Sequence, residues 1–163
     1  MKRAYSLFAA AALAGVCAGE MLKGLRDVIR PGISTMEINN WVEHYIVRHG
    51  QKPAFKGYGG FPYAACVSVN EEVVHGFPSK KRILKEGDIV SVDLGSIYGG
   101  FYSDAARTYP VGQISELHQK LIDTCKASFF EGLKYCRKGS TVSDSVEQMK
   151  KLDDAGIRYT AMY

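Results

Sequence analysis

Apolar residues recur at helical spacing from Leu7 through Leu13, Val16, Met21, Leu22, Leu25, Val28 and Ile29 and stop at Pro31-Gly32, which predicts one N-terminal amphipathic helix. Ser34-Thr35-Met36-Glu37 then has the form of a capping box, opening a second helix through Ile38, Trp41, Val42, Tyr45 and Ile46 that ends near Gly50. From Pro53 to about Gly112 the period changes to two, amid Gly, Val, Tyr and Ser, as in a sheet built of hairpins. Cys66 to Asn70 and Ile89 to Leu94 alternate as strands, and Val73-Val74-His75 reads as the end of another. Tyr98-Gly99-Gly100 marks a chain reversal before Phe101-Tyr102-Ser103-Asp104. Helical spacing returns from Ser115 to Tyr135 and closes with Arg137, Lys138 and Gly139, and a weaker helix runs from about Val142 to Leu152. Helices around a hairpin sheet predict an α/β (α+β) fold, with residues 1–163 as a single domain.

Composition narrows the function more by exclusion than by assertion. With 163 residues, 46% of them hydrophobic, the chain can bury a core, and 21 basic against 17 acidic residues leave only +4, too mild an excess to argue for nucleic acid. The basic cluster Lys80, Lys81, Arg82 and Lys85 reads as a solvated turn. Four widely spaced cysteines, Cys17, Cys66, Cys125 and Cys136, form no Cys-x-x-Cys pair and read as reduced, buried thiols. The start imitates a secretory signal, because Lys2 and Arg3 precede the apolar run Leu7 to Leu13. The unbroken periodicity beyond that run assigns it instead to the fold. No stretch reads as long enough to span a bilayer, and the expected location is the cytoplasm.

The chemistry concentrates in the sheet. Alternation places Ile89, Ser91 and Asp93 on one face of their strand and Val90, Val92 and Leu94 on the other. A hairpin folded about the Tyr98–Gly99 midpoint sets Asp93 directly opposite Asp104. Carboxylates so placed have Cβ atoms about 4.5–5.5 Å apart and repel unless a cation lies between them. Two such carboxylates can bridge two divalent ions about 3.5–4 Å apart, as in aminopeptidases and phosphatases. Exposed turn acids, or pairing with Arg107 and Lys85, is the plain alternative. His75, before a glycine and a proline turn, can serve as a ligand, a proton donor, a substrate contact or a structural residue. Phe55, Tyr58 and Phe61 punctuate a glycine-rich loop without phosphate-loop spacing, and either line an apolar pocket or pack the loop.

The segments "AFKGYGGFP", "CVSVNEEVVHGFP", "LKEGDIVSVDLG" and "GFYSDAARTYPVG", in this order and at these separations, closely resemble the type I methionine aminopeptidases of peptidase family M24, over about Ala14 to Asp144. The resemblance implies the pita-bread fold, a curved antiparallel sheet flanked by helices, and removal of the N-terminal methionine from nascent chains. It implies Asp93 and Asp104 as ligands of two divalent ions, with cobalt, manganese, iron and zinc as candidates. His75 would act catalytically on the bound substrate, Tyr58, Phe61 and Phe55 would bind the methionine side chain, and Asn70 and Glu72 would lie near an auxiliary monovalent cation. A ribosome is an implied partner, and no nucleic-acid motif or membrane is implied.

Beyond Asp144 the sequence departs from the family. It reads "SVEQMKKLDDAGIRYTAMY" and lacks the "GHG" segment that carries a histidine ligand, together with the family's two glutamate ligands. The reading is therefore of an incomplete domain whose carboxyl-terminal half is missing and which is inactive alone. The alternatives are a non-catalytic peptide- or ribosome-binding module of the same fold and a related pita-bread Xaa-Pro peptidase.

Overall fold

Elements follow the pattern closely. The computed structural model describes residues 2–150, which fall into two units divided after Ile114. In the first, α1 spans Lys2–Val28, α2 Thr35–Arg48, β1 Lys52–Pro53, β2 Ala65–Val69, β3 Ile89–Tyr98 and β4 Phe101–Pro110. In the second, α3 spans Glu116–Leu133 and α4 Val142–Lys150, packed on each other. Leu152, the predicted end of α4, lies outside the described residues. Ser115 caps α3 by accepting from the His118 N–H at 3.2 Å.

The buried stripe of α1, including Ala14, Cys17, Ala18, Met21, Leu22 and Leu25, packs on β3 and β4. The Tyr109 hydroxyl fastens helix to sheet by donating to the Leu22 carbonyl at 2.6 Å. The sequence expectation that nothing here could span a bilayer is corrected by Leu7–Val28, 22 residues of mean hydropathy 1.4, long and apolar enough by length and composition. Length and apolarity do not separate a core helix from a membrane helix; the buried stripe is what places α1 on the sheet.

α2 begins with the predicted capping box, in which the Ser34 N–H donates to the Glu37 carboxylate at 2.8 Å and the Ser34 hydroxyl accepts from the Glu37 N–H at 3.2 Å. Buried Asn39 of this helix reaches into the sheet. Its side-chain oxygen accepts from the N–H groups of Ala64 and Ala65 at 2.9 and 3.3 Å, fixing where β2 starts.

β1 and β2 both pair with β3, β1 near its end at Ile97 and β2 from Leu94 to Val90, while β4 pairs with β3 along its other side, all antiparallel. Val90, Val92 and Leu94 are fully buried in the core, together with Val67 and Val69 of β2. The hairpin register differs from the expected one. Tyr98 pairs with Phe101, so Asp93 faces Ala106 and Asp104 faces Gly95. The cause is the turn: Gly99 and Gly100 have φ of 57° and 85°, as a two-residue I′ loop requires, so Tyr98 stays in the strand instead of entering the turn. Cysteine burial is also divided: Cys17 and Cys66 are buried, whereas Cys125 and Cys136 are exposed, against the expectation that all four are interior.

Candidate metal and peptide site

The site lies on the face of the sheet that β3 turns away from its core. Cys66 of β2 is the direct partner of Asp93, and Asp104 of β4 lies opposite Gly95. The two aspartates are therefore diagonal neighbours on one face, a two-residue displacement from the expected pairing. Alternation preserves their common face under that displacement. Gly95 leaves room beside them, since a Cβ there would come within 2.6 Å of the Ser103 carbonyl and 2.9 Å of the Phe55 ring.

His75 is not at a strand end. Val73 and Val74 are exposed and the segment is a loop, because only Gly76 joins the β2 edge. The Gly76 carbonyl accepts from Val67 N–H at 2.9 Å and its N–H donates to the Ser68 hydroxyl at 3.0 Å. A Cβ at Gly76 would stand 2.3 Å from the Val67 carbonyl, so only glycine permits this contact. Clamped there, the loop holds His75 at φ 57°, an uncommon conformation for a side-chain-bearing residue.

Phe55, Tyr58, Phe61, His75, Asp93 and Asp104 all line one pocket of about 500 Å³, joined by Cys66, Phe77, Gly59 and Gly60. Sequence reasoning missed Cys66 and Phe77 as lining residues. The available signals were the alternation that sets Cys66 on the face of Ser68, and the two-residue step from His75 to Phe77. Asn70 and Glu72 do not line the pocket. The Asn70 side chain bridges Asp88 at 2.8 Å and the Ile89 N–H at 3.0 Å, and the Glu72 carboxylate accepts from the Val69 N–H at 2.8 Å.

The carboxylates are under electrostatic stress. Burial, then the charge and hydrogen bonding of Asp104, raise the Asp93 carboxyl to about 6, with His75 pulling the other way. One Asp93 oxygen, Oδ1, is buried with no hydrogen-bond partner. Burial and the same two carboxylates raise the Cys66 thiol to about 11, so it is protonated at neutral pH. A buried, unpartnered carboxylate oxygen beside a second carboxylate fits a cation, which would satisfy the oxygen and remove the repulsion. The donor set is partial: among the described residues no group of three or more His, Cys, Asp or Glu side chains could hold a metal ion.

Residues 9–161 match the model of metallopeptidase family M24. The chain belongs to this family. Its match extends beyond the Ala14–Asp144 segment legible from motifs. The M24 chain is 47% identical over 131 residues to a methionine aminopeptidase of Clostridium acetobutylicum, covering 80% of itself and 52% of that relative. Among solved structures it superimposes on the methionine aminopeptidase of Rickettsia prowazekii with a TM-score of 0.86 at 30% identity, covering 92% of itself and 60% of that chain. For the Thermotoga maritima methionine aminopeptidase the TM-score is 0.84 at 40% identity, over 88% and 57% of the two chains. Its fold is accordingly the pita-bread fold of these M24 enzymes, and it spans about half the length of the curated relatives it matches.

Proposed function

We propose that this chain carries part of the active site of a methionine aminopeptidase, with Asp93 and Asp104 as ligands of divalent metal and the aromatic pocket as the seat of the N-terminal methionine side chain. The observation that carries this reading is the unpartnered, buried Oδ1 of Asp93, next to Asp104 at the edge of an apolar pocket. When bound, the metal, two ions by resemblance and drawn from cobalt, manganese, iron or zinc, lowers the pKa of coordinated water and polarises the peptide carbonyl.

The chain's own residues supply placement. Asp93 and Asp104 turn mutual repulsion into affinity for the cation. His75, held over the pocket by the Gly76 clamp, is positioned to hydrogen-bond the reacting peptide group. Phe55, Tyr58 and Phe61 offer ring edges and faces to a thioether, and Cys66 adds an uncharged thiol to the wall. An auxiliary monovalent-cation role for Asn70 and Glu72 would have to be shared with the hydrogen bonds that already engage their side chains. The substrates would be nascent chains in the cytoplasm, with the ribosome as a partner.

Two carboxylates leave most of the coordination sphere to water, so the 163-residue polypeptide by itself is expected to hydrolyse a Met-Ala-Ser peptide negligibly with added cobalt or manganese. Turnover that disappears in Asp104→Ala would refute that expectation of inactivity. Binding of the same peptide separates the readings. The aminopeptidase reading predicts that metal tightens binding in the wild type and not in Asp104→Ala, whereas a non-catalytic peptide-binding module predicts equal binding with and without metal.

A further inference from the structure

The outward face of α1 changes character along its length. Beyond Gly19 it carries the exposed charges of Glu20, Lys23, Arg26 and Asp27, as the solvent face of a helix packed on a sheet should. From residue 7 to residue 19 no exposed residue has a polar side chain. Phe8 is 76% exposed and Val16 60%, and Leu7 and Leu13 are also exposed. A Cβ at Gly15 or Gly19 would meet nothing within 4 Å, so the space above this half of the helix is open. The other side of the same turns is committed to the fold, since Ala10, Ala14, Cys17 and Ala18 are buried. This half of α1 is therefore apolar all round, the pattern of a helix covered on both sides. None of the proposed chemistry uses its outer face, and the family match starts only at residue 9, after Lys2, Arg3, Leu7 and Phe8.

Size and charge select what covers it. Residues 7–19 extend roughly 20 Å along the helix axis, and a strip about 10 Å wide offers on the order of 200 Å². A specific protein partner needs about 800 Å² from each side, so a second copy seated on this strip alone falls well short. A lipid surface sets no such minimum, because apolar side chains enter it singly and electrostatic attraction adds to their burial. The charge fits as well. The sequence carries Lys2 and Arg3 within two turns ahead of Leu7 and has no acidic residue before Glu20, so this end of α1 attracts anionic headgroups. Spanning the bilayer does not fit, although Leu7–Val28 is long enough. It would strip Met21, Leu22 and Leu25 from the core cluster and place the charges of Glu20, Lys23, Arg26 and Asp27 in hydrocarbon.

We infer that the outer face of residues 7–19 docks on the surface of a membrane containing anionic lipid, with α1 lying in the plane of the interface and its other side still packed on the sheet. The test is co-sedimentation of the 163-residue chain with two kinds of vesicle, phosphatidylcholine alone and equal parts of phosphatidylcholine and phosphatidylglycerol. The wild type is expected to bind the anionic vesicles about tenfold or more tightly than the neutral ones. Joint replacement Phe8→Gln and Val16→Gln is expected to weaken anionic binding by about tenfold or more, by removing apolar groups that enter the interface. Joint replacement Lys2→Gln and Arg3→Gln leaves every apolar residue in place and is expected to bring anionic binding to within about threefold of neutral binding, which decides the matter should the first pair disturb α1. Leu117→Gln, at an exposed apolar residue of α3, is expected to change binding by less than about twofold, and a loss equal to that of the first pair would overturn the inference. So would a wild type that sediments with neither vesicle or with both equally, or wild-type binding retained in both double variants. A wild type that doubles in mass in lipid-free buffer, with the doubling abolished by Phe8→Gln and Val16→Gln, would assign the face to a second copy and overturn the inference as well.

Discussion

Leu25→Ala is expected to destabilise the chain by about 2–5 kcal/mol, the range for deleting the branch of a fully buried leucine and leaving a cavity. Leu25 has no solvent exposure and lies in the same core cluster as Met21, Val92, Leu94 and Val111. In a chain of this size the corresponding fall in melting temperature is roughly 5–15 °C. Val16→Ala, on the opposite face of α1 and 60% exposed, should stay within about 0.5 kcal/mol of the wild type. The pair asks whether α1 is a structural member of the sheet's core. Thermal melts in which both variants match the wild type would mean that the helix is dispensable to the fold, as a leader or anchor would be.

The second large effect has the opposite sign. Asp93→Asn should stabilise the metal-free chain at pH 8 by about 1–2 kcal/mol, after discounting for partial exposure and for coupling to Asp104. Because folding raises the Asp93 carboxyl to about 6, the folded state holds its proton to higher pH than the unfolded chain does. Stability from that proton is fully present below about pH 4, the unfolded value, and is lost as pH rises through about 6. The wild type should therefore weaken across this window relative to Asp93→Asn, in which the contribution is absent. Denaturant melts at a series of pH values check this, and an asparagine variant less stable than the wild type at pH 8 would contradict it. A residue that costs stability where it stands is consistent with retention for binding a cation.

Local signals made much of this legible in the sequence. The capping box was readable because both of its partners, Ser34 and Glu37, lie within one turn. The shared face of Asp93 and Asp104 followed from alternation and survives the displacement between expected and observed register, because a slip of two residues leaves faces unchanged. The register itself was misread because the reversal was centred one residue early, on Tyr98 and Gly99 instead of Gly99 and Gly100. Val73-Val74-His75 imitated a strand, since β-branched residues carry that propensity even where, as here, a single clamped glycine makes the sheet contact. Cys66 and Phe77 were missed as pocket residues because alternation and spacing give only a face, while their place beside Asp93 and Phe61 depends on cross-strand register and on ring packing. The bilayer-length misjudgement on α1 concerned overall length and apolarity, which Leu7–Val28 meets although it carries Glu20, Lys23, Arg26 and Asp27.

The central claim is that Asp93 and Asp104 together hold a divalent cation. Titrating the 163-residue chain with manganese at pH 7.5, following loss of the free-ion electron paramagnetic resonance signal, tests it most directly, with Asp93→Asn and Asp104→Asn in parallel. The account predicts saturable binding at millimolar metal by the wild type and its loss in each single variant. No binding by the wild type, or binding that survives either substitution, would contradict it.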